Sequence, residues 1–165
     1  MIITNANCSC NKISSKDSSV FEEYHLSDTI AICSDSPKMS KIVEYLSYPT
    51  ISNINVISNN SSNKLIFNEG YYNSEDKLMI EVDLQEKLIY TTKTTSGYVY
   101  QYGINMFKTL SISIPEYTKN KSTKELVKSG RVQINPYIEN IHIRKIDDKT
   151  IYRTILLLLE VNFFI

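Results

Sequence analysis

A chain of 165 residues and 19.0 kDa suits one domain, and a 42% hydrophobic, 10% aromatic composition supplies enough apolar material for a core. Lys plus Arg is 18 and Asp plus Glu is 18, a formal net charge of zero. That excludes binding nucleic acid by broad phosphate neutralisation and excludes an acidic disordered tail, and it leaves little self-repulsion between copies.

In chain order, residues 1–30 are Ser- and Asn-rich with no sustained period, the composition of an N-terminal arm, with the folded domain expected over 31–165. Met1-Ile2-Ile3-Thr4-Asn5-Ala6-Asn7 lacks the basic start and apolar run of a signal peptide, which predicts synthesis in the cytoplasm. Ser36 as N-cap, Pro37 at the first helical position and Met39, Ile42, Val43 and Leu46 behind them predict a short amphipathic helix over 37–46, stopped by Pro49.

Beyond Pro49 the dominant period is two. In 77–92 the even positions Leu78, Ile80, Val82, Leu84, Leu88 and Tyr90 are apolar, while Glu81, Asp83, Gln85 and Lys87 alternate with them. That is a long, half-buried strand. Leu110, Ile112 and Ile114 alternate with Thr109, Ser111 and Ser113 in the same way. Weaker alternation predicts strands near 51–58, 64–72 and 97–106, with polar loops at 58–63 and 117–122. Lys124-Glu125-Leu126-Val127 has the pattern of a single helical turn.

Val132, Ile134 and Ile138 keep one phase, and Ile141 and Ile143 take the other, which predicts a bulge near Glu139–Asn140. Asp147-Asp148-Lys149 predicts a tight turn into a last strand from Thr150. There Leu156–Leu159 is apolar on both faces, as in a central strand or one covered by a partner, and is too short to span a bilayer. The expected fold is mainly β: an antiparallel β-sandwich of about eight strands with one short helix and an extended N-terminal arm.

Motifs for catalysis are missing. His25 and His142 stand alone, there is no His-Glu-x-x-His, Gly-x-Ser-x-Gly or P-loop, and 4 Gly leave little for a phosphate cradle. Glu81 and Asp83 share one strand face, where a glycosidase needs opposing carboxyls, so they read as a solvated face. No catalytic residue, metal site or cofactor is expected.

Cysteine is the unusual chemical feature. Cys8 and Cys10 are too close in sequence to bridge each other easily, and with Cys33 they lack an obvious fourth zinc ligand. One reading has Cys8, Cys10 and Cys33 cross-linking copies once the surroundings oxidise; the other has incidental free thiols, Cys33 serving as a small buried hydrophobe. The 12 Tyr outnumber the 5 Phe, and tyrosine suits surfaces with one wet edge. Tyr98, Tyr100 and Tyr102 share one strand face, which reads either as a stacking platform for a ligand or as an ordinary aromatic sheet face. With Leu156 and Leu158 they are the candidate interface residues.

The stretch Val132-Gln133-Ile134-Asn135-Pro136-Tyr137-Ile138-Glu139-Asn140-Ile141, then Ile146-Asp147-Asp148-Lys149-Thr150-Ile151-Tyr152-Arg153, resembles the SPOCS domain of spore-coat proteins. That family shows a Pro-x-Ile-Glu-x-Ile strand and a hairpin into Arg-Thr-Ile, whose arginine is Lys149 here. Lys87-Leu88-Ile89-Tyr90 is similar to its Lys-Ile-Leu-Tyr strand, and Ser111-Ile112-Ser113-Ile114-Pro115 stands in the place of its Pro-Phe-Ser segment. Ser36–Leu46 is similar to the helix that opens the domain. The resemblance covers 35–165 and implies a non-catalytic β-rich interaction module.

A looser, architectural likeness links residues 1–12 to the cysteine-bearing arms of spore appendage fibre subunits. Together these imply a self-assembling structural protein of the spore surface, made in the mother cell. Its partner would be itself, with other coat proteins as further candidates and no nucleic acid or membrane. The rival expectation is a non-catalytic module that binds a coat protein or glycan through its tyrosines.

Overall fold

The computed structural model describes residues 18–57, 76–92 and 97–165. The elements are β1 (Ser18–Ala31), β2 (Met39–Ile57), β3 (Lys77–Thr92), β4 (Val99–Ser113), a miniature pair β5 (Tyr117–Thr118) and β6 (Lys121–Ser122), the helix α1 (Thr123–Lys128), β7 (Val132–Lys145) and β8 (Thr150–Phe163). Two three-stranded antiparallel sheets, ordered β1-β8-β7 and β2-β3-β4, pack face to face as a sandwich. Each central strand has the pattern its position demands. In β3 every even residue from Leu78 to Thr92 is buried, and in β8 the odd residues from Ile151 to Phe163 are buried against them.

Several expectations hold. The 77–92 strand has the expected limits, and the helical turn lies at Thr123–Lys128. The register of β7 on β8 slips between Ile138 and Asn140, which makes Glu139 the bulged residue. The turn at 146–149 closes the β7–β8 hairpin: Lys149 N–H donates to Asp147 Oδ1 (2.7 Å), and Ile146 N–H to Thr150 O (2.9 Å). The 97–106 and 109–114 segments are one continuous strand, β4. The polar loop at 117–122 contains the β5–β6 pair, and the expected strand at 64–72 lies outside the described residues.

Two expectations are corrected. The helix over 37–46 does not form, so the likeness of Ser36–Leu46 to an opening helix fails, because this segment is the start of β2. The register slips between Met39 and Lys41 and again between Ile42 and Glu44. Each slip inserts one extra residue, so the inward side chains Met39, Ile42 and Tyr45 recur every three residues. A doubly bulged strand therefore has the apolar spacing of a helix turn. Residues 18–30 are not part of an arm either: Ser18–Ala31 pairs with β8 along its whole length, from Ser18 opposite Phe163 to Ala31 opposite Thr150, and residues 1–17 of the expected arm lie outside the described residues. Its alternation was hidden because the outer face carries Glu23, His25 and Ser27 around an inner Leu26 and Ile30.

Candidate functional site

The core is not continuous. One apolar cluster gathers Leu78 to Leu84 of β3, Leu110 and Ile112 of β4 and Ile155 to Phe163 of β8; a second gathers Ile30, Ile32, Met39, Tyr45, Leu88, Tyr90 and Ile151. Between them the inward positions of four strands are polar. Arg153, with no exposed surface, donates from Nη1 to Glu86 Oε1 and from Nη2 to Asp28 Oδ2 (3.1 Å), and Nη2 also faces Met106 Sδ. Lys108 Nζ lies 3.0 Å from Asp28 Oδ1. Tyr45 Oη donates to Glu86 Oε2 (2.8 Å), and Ser47 Oγ to Glu86 Oε1 (3.4 Å).

Burial pushes the Glu86 carboxyl above the usual carboxylate range, against the opposing pull of Arg153, Tyr45 and Ser47. Burial likewise raises the Tyr45 hydroxyl. Two cations are thus set against two carboxylates, and the ion pairs tie Asp28 of β1 and Arg153 of β8 in one sheet to Glu86 of β3 and Lys108 of β4 in the other. The sequence reading missed this layer. Its trace was visible, since Glu86 interrupts the even apolar series of 77–92 and Arg153 sits in phase with Ile151, Ile155 and Leu157.

The cysteine candidates divide. Cys8 and Cys10 lie outside the described residues. Cys33 is free and exposed at the start of the loop joining β1 to β2, so the buried-hydrophobe reading of this thiol is corrected. Lys149 holds this loop: Nζ donates to the carbonyls of Ser36, Ser34 (3.0 Å) and Cys33 (3.2 Å). The hairpin backbone adds Ile32 N–H to Lys149 O (2.7 Å) and Met39 N–H to Asp148 O (2.8 Å). Hydrogen bonding from the Asp35 backbone, then the Ser34 hydroxyl and the Lys149 charge, holds the Cys33 thiol below its ordinary range.

The tyrosines reach the same end of the sandwich. Tyr90 Oη donates to Pro37 O (3.1 Å) in the Cys33 loop, and the Tyr90 ring stacks on Tyr100 with centroids 6.1 Å apart. Tyr100 and Tyr102 lie opposite Tyr90 and Leu88 on the inward face, Tyr102 half-buried, while Tyr98, just before β4, is exposed. The three therefore form a graded margin to the second apolar cluster rather than a flat external platform.

Leu156 and Leu158 are elsewhere, half-buried on the outer face of the β1-β8-β7 sheet between His25 and Asn140 and between Glu23 and Tyr137 respectively. Next to them Glu160 is buried, has no cation against it among the described residues, and accepts from Asn135 Nδ2 (2.9 Å) and Tyr137 Oη (3.0 Å). These bonds, Asn135 first, hold its carboxyl below the usual range. Among the described residues no three His, Cys, Asp or Glu side chains converge as metal ligands, and no helix is long and apolar enough to cross a membrane.

Comparison of the chain with protein-family models, with curated proteins and with solved structures finds no match.

Proposed function

We propose that this chain is a self-assembling structural protein of a bacterial spore surface, a coat, exosporium or appendage subunit. Its copies join through edge-strand pairing, exchange of the N-terminal arm, and disulfides involving Cys8, Cys10 or Cys33. The observation that carries the reading is a sandwich with large apolar side chains left in solvent, among them Phe107 (76% exposed), Val99 (63%) and Tyr98 (61%). Apolar groups left outside a sheet are surface for another chain to cover. Further support comes from the exposed Cys33 on a pinned loop, and from the order and spacing of the SPOCS-like segments after residue 86.

Negative-stain microscopy of the purified protein alone tests this reading. Fibres, rings or lattices are expected, with a ladder of species on non-reducing SDS–PAGE that collapses under reductant. A monodisperse monomer at high concentration without reductant overturns it. The second reading, a binding module, draws on the Tyr90–Tyr100 stack beside exposed Tyr98. A monomer that binds polysaccharide and loses that binding in Tyr98→Ala would establish it.

A further inference from the structure

Among the described residues the sandwich has four edge strands, and three carry features that discourage pairing with another chain. β1 contains the exposed Glu22 and Glu23, so two copies side by side would repel. β2 contains Pro49 and three register slips. β7 contains Pro136 and the Glu139 bulge. β4 has none of these. Over Val99–Ser113 it has no proline, its register on β3 is unbroken, and its single charge, Lys108, is turned inward to Asp28. Among the described residues no strand pairs with β4 on the side away from β3.

The hydrogen-bond parity of that edge is defined at both ends. Thr92 N–H donates to Tyr98 O, and Ile114 N–H to Asp76 O, so the even residues of this register bond to β3. The odd residues of β4 therefore direct their N–H and C=O groups outward. Tyr24 Oη, donating to Ser111 O at 2.8 Å, takes one of these outward carbonyls and closes the far end of the edge. The open stretch runs from Val99 to Thr109, and Gly103 lies near its middle.

Gly103 has no explanation within its own sheet. Its φ is not in the left-handed region, and a Cβ built on it would meet nothing within 4 Å. A glycine inside a strand weakens it and commonly marks a bulge, a bend or the close approach of a ligand or another backbone, and the register of β4 on β3 has no bulge at Gly103.

We propose that β4 pairs antiparallel with β4 of a second copy about a two-fold axis at Gly103, joining two three-stranded sheets into one continuous sheet. This deepens the self-assembly reading and rests on it. In this register Gly103 faces Gly103 of the other copy, Gln101 faces Asn105, and Val99 faces Phe107. All are outward-bonding positions, so each facing pair exchanges both backbone hydrogen bonds. The two most exposed apolar side chains of the strand cover each other on the outer face. No like charges meet, because Lys108 falls opposite Tyr98. The contact is isologous and closes at two copies, so longer assemblies need a second contact, which the cysteines supply.

The test uses the full chain with Cys8, Cys10 and Cys33 changed to Ser, followed by sedimentation. A dimer is expected. Phe107→Lys, at a position 76% exposed in the single chain, weakens it at least about tenfold. Gly103→Pro, which removes an outward N–H that β3 does not use, does the same. In the same background Gly103→Cys forms a covalent dimer with oxidised glutathione, because facing residues of such a pair lie about 5.5 Å apart, within disulfide reach. Ser113→Cys does not.

If the native chain assembles but all three β4 variants behave like their parent, the proposal fails and the assembly reading stands. If deleting residues 1–17 abolishes the dimer, the arm is the occupant of the edge and the proposal fails as well. If the native chain is monomeric throughout, both fail.

Discussion

Arg153 shows how much one inward residue decides. Its guanidinium has no exposed surface and bridges Glu86 of the facing sheet to Asp28 of the neighbouring strand. Removing one partner of such a pair leaves a buried uncompensated charge, so Arg153→Met is expected to lower the unfolding free energy by about 3–5 kcal/mol, read as a shifted urea midpoint at unchanged slope. Adding Glu86→Gln to Arg153→Met is expected to recover part of that loss. A double variant no better than Arg153→Met would show that the pair is not coupled.

Glu160 yields a pH dependence of known sign. Its folded carboxyl titrates below its unfolded value, so its contribution is present above the unfolded value, near pH 4.5, and is lost as pH falls through the folded one. Glu160→Gln is expected to lower stability at neutrality and to flatten its loss below about pH 4.5, so that the variant and the native chain converge in acid. Glu86 works the other way. With its folded value raised, its ionisation opposes folding as pH rises, so it cannot be the source of an acid-side loss.

At the scale of the element, bulges decide what the hydrophobic pattern means. In β7 the phase change between Ile138 and Ile141 was legible because polar and apolar residues alternate cleanly on both sides of Glu139. In β2 the same device occurs at Ser40 and at Val43, only three residues apart, and leaves no run long enough to show period two. Lys145 Nζ, donating to Met39 O (2.6 Å) and Ser40 O (3.2 Å), satisfies the carbonyls that the first of these bulges frees. That partner is about a hundred residues away, beyond any local window.

The β7 bulge makes a prediction by deletion. Without Glu139, Asn140 still faces outward opposite Leu156 and Ile141 inward opposite Ile155, so the ladder becomes regular and stability should change by about 1 kcal/mol or less. Deleting His142 instead turns Ile143 outward and Arg144 toward Arg153, and is expected to cost at least about 3 kcal/mol. Equal thermal midpoints for the two deletions would contradict this account of the register.

For the whole molecule, the long central strands, the hairpin turn and the antiparallel layering could be read directly, because side-chain alternation is a local property of a chain that buries one face of each sheet. The sequence by itself determined the fold class, the limits of β3, the bulge at Glu139, the short helix after Ser122 and the turn before Thr150. Only the tertiary structure decided the rest: that 18–31 closes a sheet with β8, that 39–46 is a bulged strand, that a layer of charge splits the core, and that Cys33 and the tyrosines share one end. Each of these depends on partners more than 35 residues apart in the chain, such as Arg153 and Glu86 at a separation of 67, or Tyr90 and Pro37 at 53. Local periodicity reports which side of a strand is apolar; it has no information about which distant strand, or which distant charge, will lie against that side.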